Sequence, residues 1–362
     1  MLNSTVFEQN GKITNRLSLQ LVQNNLHNEL QTKVIATMNV ELTFVQGCFY
    51  IDSPSLKHQK IALNYRVYGL PIGSAPVILV NHALTGNSEV TGPDGWWQNL
   101  IGIKKTIDLT KFTVLAFDIP GNGFDQKQEH LISDYKTITT RLVAEWFWEG
   151  VNRLKIKQLY AVIGGSLGGA IAWEMVFMHS NRINHLIPIA SDWKSTDWMI
   201  ANVTIQDQLL NQENLPIEHA RIHAMTLYRT PMSFKQKFNR EFNPQKNMYQ
   251  VQSWLYHHAE KLNKRFNLSS YRLMNHLLGT IGKDLNELHF ETFVKDSTTQ
   301  FHLVGIDSDG FFPAVGNINT NKHLIKLGRT SNYIEINSIN GHDGFLIEYD
   351  QLSTKLNHLF NI

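Results

Sequence analysis

One serine, with a strand predicted before it and a helix after it, limits this chain to a small set of folds. The apolar run of residues 158–163 ends in the Gly-x-Ser-x-Gly pattern of Gly164–Gly168, and a helical pattern continues over residues 169–176. Small neighbours let Ser166 adopt the strained backbone of a sharp turn, above a sheet and at the positive end of a helix. The pattern also occurs in ordinary loops, but in this context it predicts that Ser166 is a nucleophile that attacks carbonyl carbons.

Apolar runs and helical patterns alternate along most of the chain. Two strands separated by a Ser-Pro-Ser turn are predicted at residues 41–51 and 61–68. Further strands are predicted at residues 77–80, 112–117, 158–163, 182–190, 300–305 and 331–336, and helices at 134–153 and 349–360. Short, continuously apolar strands between helices indicate a mostly parallel sheet with helices on both faces, which is an α/β fold.

The chain divides into four predicted segments. Residues 1–37 are rich in Asn and Gln and are expected to form a poorly ordered or loosely helical N-terminal extension. The core is predicted in two parts, residues 38–191 and 286–362. Residues 192–285 interrupt it as a helical cap, because strand signals vanish there while helical periodicity continues.

Charge and composition exclude several classes of protein. Lys+Arg number 33 against Asp+Glu 31, so neither nucleic acid nor an anionic membrane is an expected partner. No run approaches the ~18 apolar residues of a membrane helix, and the N-terminus lacks signal-peptide order, which favours a soluble, cytoplasmic protein. The single cysteine, Cys48, excludes an internal disulfide and is expected to be a small buried strand residue beside a bulge at Gly47.

Motifs for metals and nucleotides are absent from the sequence. Residues His257-His258-Ala259-Glu260 are histidine-rich but lack the His-Glu-x-x-His order, which indicates a solvated helix face. The P-loop and dinucleotide fingerprints are missing as well. We therefore expect no metal site and no bound cofactor.

A serine nucleophile requires a base, and the base requires an acid that orients it. In folds with this strand–serine–helix turn, the three follow strands in the order Ser, Asp, His. His342 lies after the last predicted strand, and Asp307 and Asp309 both lie after the strand before it. We favour Asp309, which an apolar pair and a proline soon follow. The alternative is that an aspartate only caps a turn and His342 is an ordinary loop histidine.

Two backbone N–H groups are predicted to bind the oxyanion of a tetrahedral intermediate. One belongs to Leu167, directly after Ser166, and the best candidate for the other is Leu84, in the loop after residues 77–80. Since only the N–H group of Leu84 would act, Leu84→Ala is expected to be mild. His82 in the same loop is expected to be structural rather than catalytic.

With these residues, the chain resembles the homoserine O-acetyltransferase family of the α/β-hydrolase superfamily over about residues 40–350. The resemblance is carried by five segments, His82–Gly86, Gly95–Trp97, Gly164–Gly169, Ser308–Pro313 and Gly341–Leu346. It implies an α/β-hydrolase fold with a mostly parallel central sheet flanked by helices and an inserted helical cap. It also implies a homodimer formed through the cap.

The resemblance implies three substrate-binding residues. Arg221 and Tyr228 keep the seven-residue separation of the family's amino-acid-binding segment, and Asp343 matches its contact to the substrate ammonium. An arginine fork suits a substrate carboxylate. Without the resemblance, Arg221 would be interpreted as a helix-surface charge.

The chain also departs from the family in several places. Residues Asp118–Asp125 are closer to a generic hydrolase loop, and Ile205–Leu210 lacks the family's arginine and its Ala-Ile…Asp-Pro pattern. Leu167 replaces a common methionine, Asn267 replaces the usual aspartate, and the cap is expected to be shorter. The first two departures are expected to reshape the acyl or thioester channel.

The resemblance implies an acyltransferase of methionine biosynthesis. Its co-substrate would be an acyl-CoA, with acetyl-CoA the first candidate, and the acyl group would first form an ester with the serine. The acceptor would be the hydroxyl of homoserine or of a similar hydroxy amino acid. A cap-bearing serine esterase or thioesterase would use the same three residues, with water in place of the alcohol. The third alternative is a non-catalytic binding protein on a hydrolase scaffold, which the complete Ser, Asp and His set disfavours.

Overall fold

The computed structural model describes residues 5–9, 12–17, 42–56 and 59–362. The strands in these ranges are β1 (Thr5–Gln9), β2 (Lys12–Leu17), β3 (Leu42–Ser53), β4 (Gln59–Gly69), β5 (Val77–Asn81), β6 (Ile101–Gly102), β7 (Ile107–Asp108), β8 (Thr113–Phe117), β9 (Leu159–Gly165), β10 (Ile183–Ile189), β11 (Phe242–Asn243), β12 (Met248–Tyr249), β13 (Gln300–Ile306) and β14 (Ser331–Ile336). The α-helices are α1 (Thr140–Arg153), α2 (Leu167–His179), α3 (Asp197–Leu210), α4 (Pro216–Tyr228), α5 (Pro231–Phe238), α6 (Gln250–Arg265), α7 (Leu268–Gly279), α8 (Glu287–Lys295), α9 (Ala314–Lys326) and α10 (Tyr349–Phe360). None of the helices in the described ranges has the length and apolarity to cross a bilayer.

Ten of these strands form one sheet in the order β1-β2-β3-β4-β8-β5-β9-β10-β13-β14. The strands from β8 to β14 in this order pair in parallel, and β1 to β4 add antiparallel strands at one side. This sheet confirms the predicted α/β fold with a mostly parallel centre. The carboxyl ends of β5, β9, β13 and β14 lie along one edge, so the loops that carry the candidate site residues meet there.

Two apolar cores cover the two faces of the sheet. One contains the buried sides of α1, α2 and α8 and extends into the cap, and the other contains those of α10 and of the segment between β5 and β8. Every residue of β5 and of β8 is buried, which explains why both read as continuous apolar runs rather than alternating ones. Helix α1 begins where Thr139 accepts a hydrogen bond from the N–H group of Leu142.

The expectation for the N-terminal extension is wrong for residues 5–9 and 12–17. These form β1 and β2, an antiparallel pair that continues the sheet beyond β3. A sheet edge offers unpaired backbone groups, so a polar segment with a few β-branched residues can pair there. The remainder of the predicted extension lies outside the described residues.

The expectations for Cys48 and Gly47 are also wrong. Cys48 is exposed, because this part of β3 has one face open to solvent. Gly47 pairs with Tyr65 in a regular ladder, with no bulge. A Cβ atom at Gly47 would lie 2.5 Å from the Tyr65 ring, so the glycine makes room for a cross-strand aromatic side chain.

Helices α3 to α7 occupy the stretch between β10 and β13 where a helical cap is predicted. Helix α4 packs on α6, and α3 packs on α7 and α4. The stretch also contains a small antiparallel ribbon, β11 with β12, which the sequence did not predict. Strands of two residues are too short to produce a detectable alternation of apolar and polar residues.

Candidate active site

Ser166 lies at a sharp turn between β9 and α2. Its backbone has φ 54° and ψ −124°, a conformation that costs energy for a residue with a side chain. The N–H group of Ser166 donates to the carbonyl of Ile189 in the neighbouring strand, at 2.9 Å. A Cβ atom at Gly164 would lie 2.5 Å from the backbone of Gly168, so only glycine permits this close crossing of strand and helix.

Three side chains from three separate loops form a chain of hydrogen bonds. His342 Nε2 lies 2.9 Å from Ser166 Oγ, and His342 Nδ1 lies 2.7 Å from Asp309 Oδ2. The exposed fractions of Ser166, Asp309 and His342 are 4%, 4% and 3%. In this geometry the aspartate holds the Nδ1–H tautomer of the imidazole, which leaves Nε2 free to accept the serine proton.

The two candidate aspartates have different roles in their loop. Asp309 Oδ1 accepts the N–H groups of Phe311 and Phe312 at 2.7 and 2.9 Å, which directs the other oxygen towards His342. Asp307 instead accepts the N–H group of Ser338 at 2.9 Å and joins two loops. Asp309 is therefore the aspartate in contact with the histidine, and Asp307 is a loop carboxylate.

Aromatic rings surround the imidazole of His342. Phe312 stacks on it with ring centroids 5.6 Å apart, and Phe311, Phe345 and Tyr228 pack at its edges and remaining face. Burial raises the pKa of Tyr228 far above its ordinary value, so its hydroxyl stays protonated. Such surroundings keep water away from the imidazole and strengthen its hydrogen bonds.

The two predicted oxyanion donors lie in elements that contact each other, since Asn81 at the end of β5 donates to the carbonyl of Gly168 in α2. Leu167 is the first residue of α2, and Leu84 is buried in the loop after β5. That loop is fixed by His82, whose Nε2 accepts the N–H group of Ile119 at 2.9 Å. His82 Nδ1 lies 2.7 Å from the carbonyl of Ala83, so the ring is neutral and donates there. The structure thus gives His82 the structural contacts expected of it.

Burial lowers the pKa of His82 to about 4, and this shift makes stability depend on pH. In the unfolded chain the imidazole has a pKa of about 6.5. Because its pKa is lower in the folded protein, His82 contributes fully to the free energy of unfolding above about pH 6.5, and this contribution is lost as pH falls towards 4. We expect wild type to lose about 2 kcal/mol more than His82→Gln between about pH 7 and pH 5. Urea unfolding of both proteins at both pH values measures this difference, and equal losses would contradict the prediction.

Two buried carboxyl groups change the free energy of unfolding with pH in the opposite direction. Their contributions cancel when wild type is compared with His82→Gln. Burial raises the pKa of Asp118 and of Asp192 to about 6, so both favour the folded state as pH falls from 6 to 4. Both groups are present in wild type and in the variant. The difference between the two proteins therefore isolates the imidazole of His82.

The three predicted substrate-binding residues lie around one place. Tyr228 packs on His342, and the charges of Arg221 and Asp343 both act on its hydroxyl. Arg221 Nε is buried and, within the described part of the chain, has no hydrogen-bond partner. A buried guanidinium nitrogen without an acceptor is suited to a ligand that brings one.

Arg229 is a site residue to which the sequence analysis gave no role. Its Nε donates to Asp343 Oδ2 at 2.7 Å, and its Nη1 donates to Asn340 Oδ1 at 2.8 Å. Asp343 is therefore already ion-paired to the cap. The only sequence signal was the position of Arg229, directly after Tyr228.

A small, largely enclosed cavity lies between the loop after β5 and the cap. Its lining combines apolar and amide side chains with tyrosines: Leu84, Asn202, Val203, Gln206, Leu227, Tyr228, Tyr271, Asn275, Leu278 and Phe311. Gln206 Oε1 is buried there without a partner among the described residues. Gln206 lies in Ile205–Leu210, the segment that departs from the family pattern, but helical periodicity could not show that its side chain reaches a cavity beside the site.

Metal ligands are a separate question from the serine site. Within the described residues, no group of three or more His, Cys, Asp or Glu side chains is arranged to hold a metal ion. His258, in the histidine-rich part of α6, packs against Trp254 with ring centroids 4.4 Å apart.

A parallel sheet with a strand–serine–helix turn, and with an aspartate and a histidine after later strands, defines the α/β-hydrolase class. Residues 76–326 match the family described as alpha/beta hydrolase fold. The chain belongs to this family.

Relatives of known name confirm the resemblance to homoserine O-acetyltransferases. The enzyme of that name from Cyclobacterium marinum is 29% identical over 338 residues, which cover 87% of this chain and 93% of the relative. The one from Chloroherpeton thalassium is 29% identical over 313 residues, covering 80% and 81% of the two chains.

Solved structures show the same fold. Homoserine O-acetyltransferase from Bacillus anthracis has a TM-score of 0.77 at 18% identity, and the alignment covers 88% of this chain and 98% of that one. Esterase E22 has a TM-score of 0.76 at 16% identity, covering 88% and 100%. Since a transferase and an esterase match equally well, the fold does not distinguish the two activities.

Proposed function

We propose that this protein is an acyltransferase that moves an acetyl group from acetyl-CoA to the hydroxyl of homoserine or a similar hydroxy amino acid. The observation that carries the proposal is the buried chain of hydrogen bonds from Ser166 through His342 to Asp309. The names of the relatives that align over most of the chain support the choice of donor and acceptor.

In the first half-reaction, Ser166 Oγ attacks the thioester carbonyl while His342 Nε2 takes its proton. The N–H groups of Leu84 and Leu167 stabilise the negative charge on the carbonyl oxygen. When the C–S bond breaks, the imidazolium returns the proton to the departing thiolate, and CoA leaves as the thiol. The product is an acetyl ester on Ser166.

In the second half-reaction, the hydroxyl of the amino acid attacks that ester. His342 Nε2 takes the hydroxyl proton and then returns it to Ser166 Oγ as the ester bond breaks. Arg221 would bind the substrate carboxylate, and Asp343 would attract its ammonium while it stays paired with Arg229. Tyr228 packs on His342 and would position the substrate.

Transfer to an alcohol requires that water reaches the acyl-enzyme slowly. The burial of Ser166 and His342, and the aromatic rings around the imidazole, support transfer over hydrolysis. A cap-bearing esterase or thioesterase would use the same residues with water as the acceptor, so the acceptor has to be tested directly.

Intact-protein mass spectrometry separates these functions. Incubation with acetyl-CoA should add one acetyl group, and homoserine should then remove it with formation of O-acetylhomoserine. If CoA release is unaffected by any hydroxy amino acid, the protein is a thioesterase. If neither acetyl-CoA nor a serine-reactive phosphonate modifies Ser166, the binding-protein alternative replaces the proposal.

Arg221→Gln is expected to weaken binding of the acceptor and leave the donor half-reaction intact. Loss of a charge-assisted hydrogen bond to a carboxylate costs about 1.5–3 kcal/mol, which raises KM for homoserine by about 10- to 100-fold. Steady-state kinetics measures KM, and the rate of acetylation without acceptor measures the donor step. Lys261→Gln, which removes an exposed cation from α6, is the matched control and should change neither.

A further inference from the structure

A second cleft opens between the cap and the loop that follows β8. It has a volume of about 470 Å³. One wall is formed by Gly123, Gln126, Lys127, Gln128 and Leu131, and the other by Lys264, Arg265, Phe266 and Asn267 at the junction of α6 and α7.

The side chains that line this cleft are cationic or neutral. Lys127, Lys264 and Arg265 contribute three positive charges, and no carboxylate lines the cleft. Lys264 Nζ lies 2.6 Å from Glu260, but both side chains are more than half exposed, so the interaction free energy of this ion pair is small. Lys127 forms no ion pair with any residue that the structure describes. The cleft is therefore suited to a ligand with several negative charges.

Both walls of the cleft are joined to the loop that carries the proposed oxyanion donor. Arg265 Nη1 donates to the carbonyl of Thr85 at 3.2 Å, and Thr85 directly follows Leu84. The loop of the other wall begins after β8, where the N–H group of Ile119 donates to His82. A ligand in the cleft would thus lie beside the oxyanion loop.

We propose that this cleft binds the phosphate groups of the acyl-CoA donor. The inference rests on the proposed function and adds the place where the nucleotide end of the donor is held. Its pyrophosphate and 3′-phosphate carry several negative charges, and the amines and guanidinium of the cleft match them. Because Arg265 contacts Thr85, directly after Leu84, the pantetheine arm would extend from the cleft along this loop towards Ser166.

Another cleft, beside the loop that leads from β14 to His342, matches this ligand less well. It has a volume of about 440 Å³ and contains two cations, Arg229 and Lys237. Arg229 is already bound by Asp343 and Asn340, and Lys237 lies over the ring of Trp254. Fewer free positive charges therefore remain in the cleft of Arg229 and Lys237. A substitution of Lys237 serves as the matched control.

Gln128→Glu is the least disruptive variant that tests the proposal. Gln128 lines the cleft, and its side chain is exposed and forms no hydrogen bond with any residue that the structure describes. The substitution therefore keeps the fold and adds one negative charge to the cleft. We expect KM for acetyl-CoA to rise about fivefold to tenfold at low salt, an effect that added salt reduces.

The double variant Lys127→Gln/Lys264→Gln removes two cations and is expected to raise KM for acetyl-CoA by about tenfold or more. For S-acetylpantetheine, which has no phosphates, KM should stay at the wild-type value in every variant. Lys237→Gln, in the other cleft, should leave KM for both donors unchanged. The proposal is overturned if Lys237→Gln raises KM for acetyl-CoA while the cleft variants do not, or if the cleft variants affect both donors equally.

A direct binding measurement tests this inference independently of the proposed function, because it requires no acetyl transfer. Should wild type accept an acetyl group from neither thioester, the proposed function fails, and titration calorimetry with CoA and with pantetheine still tests the cleft. Tighter binding of CoA than of pantetheine, weakened in Gln128→Glu, supports the cleft. Equal affinity of wild type and Gln128→Glu for CoA overturns it.

Discussion

Ser166→Ala is expected to lower kcat for acetyl transfer by about 10⁴- to 10⁶-fold and to abolish the acetyl-enzyme seen by mass spectrometry. The variant removes the oxygen that forms the covalent bond, while His342 and Asp309 keep their own hydrogen bond. Alanine fits the same backbone turn, because the hydroxyl of Ser166 makes no helix-capping bond. The loss should therefore appear in turnover and not in the free energy of unfolding.

Ser191→Ala is the matched control for this variant. Ser191 is another buried serine, after the end of β10; it packs against Gly169 in α2, and its Oγ has no partner among the described residues. Removing an unsatisfied hydroxyl leaves no group unpaired, so kcat should stay within about threefold of wild type. Full turnover in Ser166→Ala, or equal losses in both variants, would contradict the proposed nucleophile.

Asp309→Asn should lower kcat by about 10⁴-fold without unfolding the loop. The amide oxygen can still accept the N–H groups of Phe311 and Phe312, so the amide nitrogen is directed towards His342 Nδ1. That nitrogen donates, which forces the imidazole proton onto Nε2. The imidazole can then no longer accept a proton from Ser166. Pre-steady-state acetylation measures the loss.

Asp307→Asn is the corresponding control in the same loop. Its carboxylate accepts from the N–H group of Ser338 and from the side chain of Asn337, and an amide oxygen can replace the first of these contacts. We expect a change of less than about tenfold in kcat and some loss of stability. Equal losses of activity in Asp307→Asn and Asp309→Asn would show that the loss comes from disruption of the loop and not from the altered contact with His342.

The sequence predicted the alternation of strands and helices and the serine turn, because both depend on neighbouring residues. Continuous apolar strands, helical spacing and a pair of glycines around Ser166 are local patterns. It failed at Thr5–Gln9 and Lys12–Leu17, where pairing with the edge of a distant strand, and not local preference, produces two antiparallel strands.

The choice between Asp307 and Asp309 shows where sequence reasoning ends. Both follow the same strand, two residues apart, and the sequence favoured one only by its neighbours. In the structure, two backbone N–H groups hold one oxygen of Asp309 and direct the other to His342. The pairing of Arg229 with Asp343, 114 residues apart, was likewise beyond any local pattern.

By itself, the sequence determined which side chains follow which strands, since a strand, a turn and a helix are encoded over a few adjacent residues. Only the tertiary structure decided which of them meet. His342 is 176 residues from Ser166 and 33 from Asp309, and their contacts arise because β9, β13 and β14 end at one edge of the sheet. The cationic cleft has the same origin, because its two walls come from a core loop and from the cap, which the fold alone brings together.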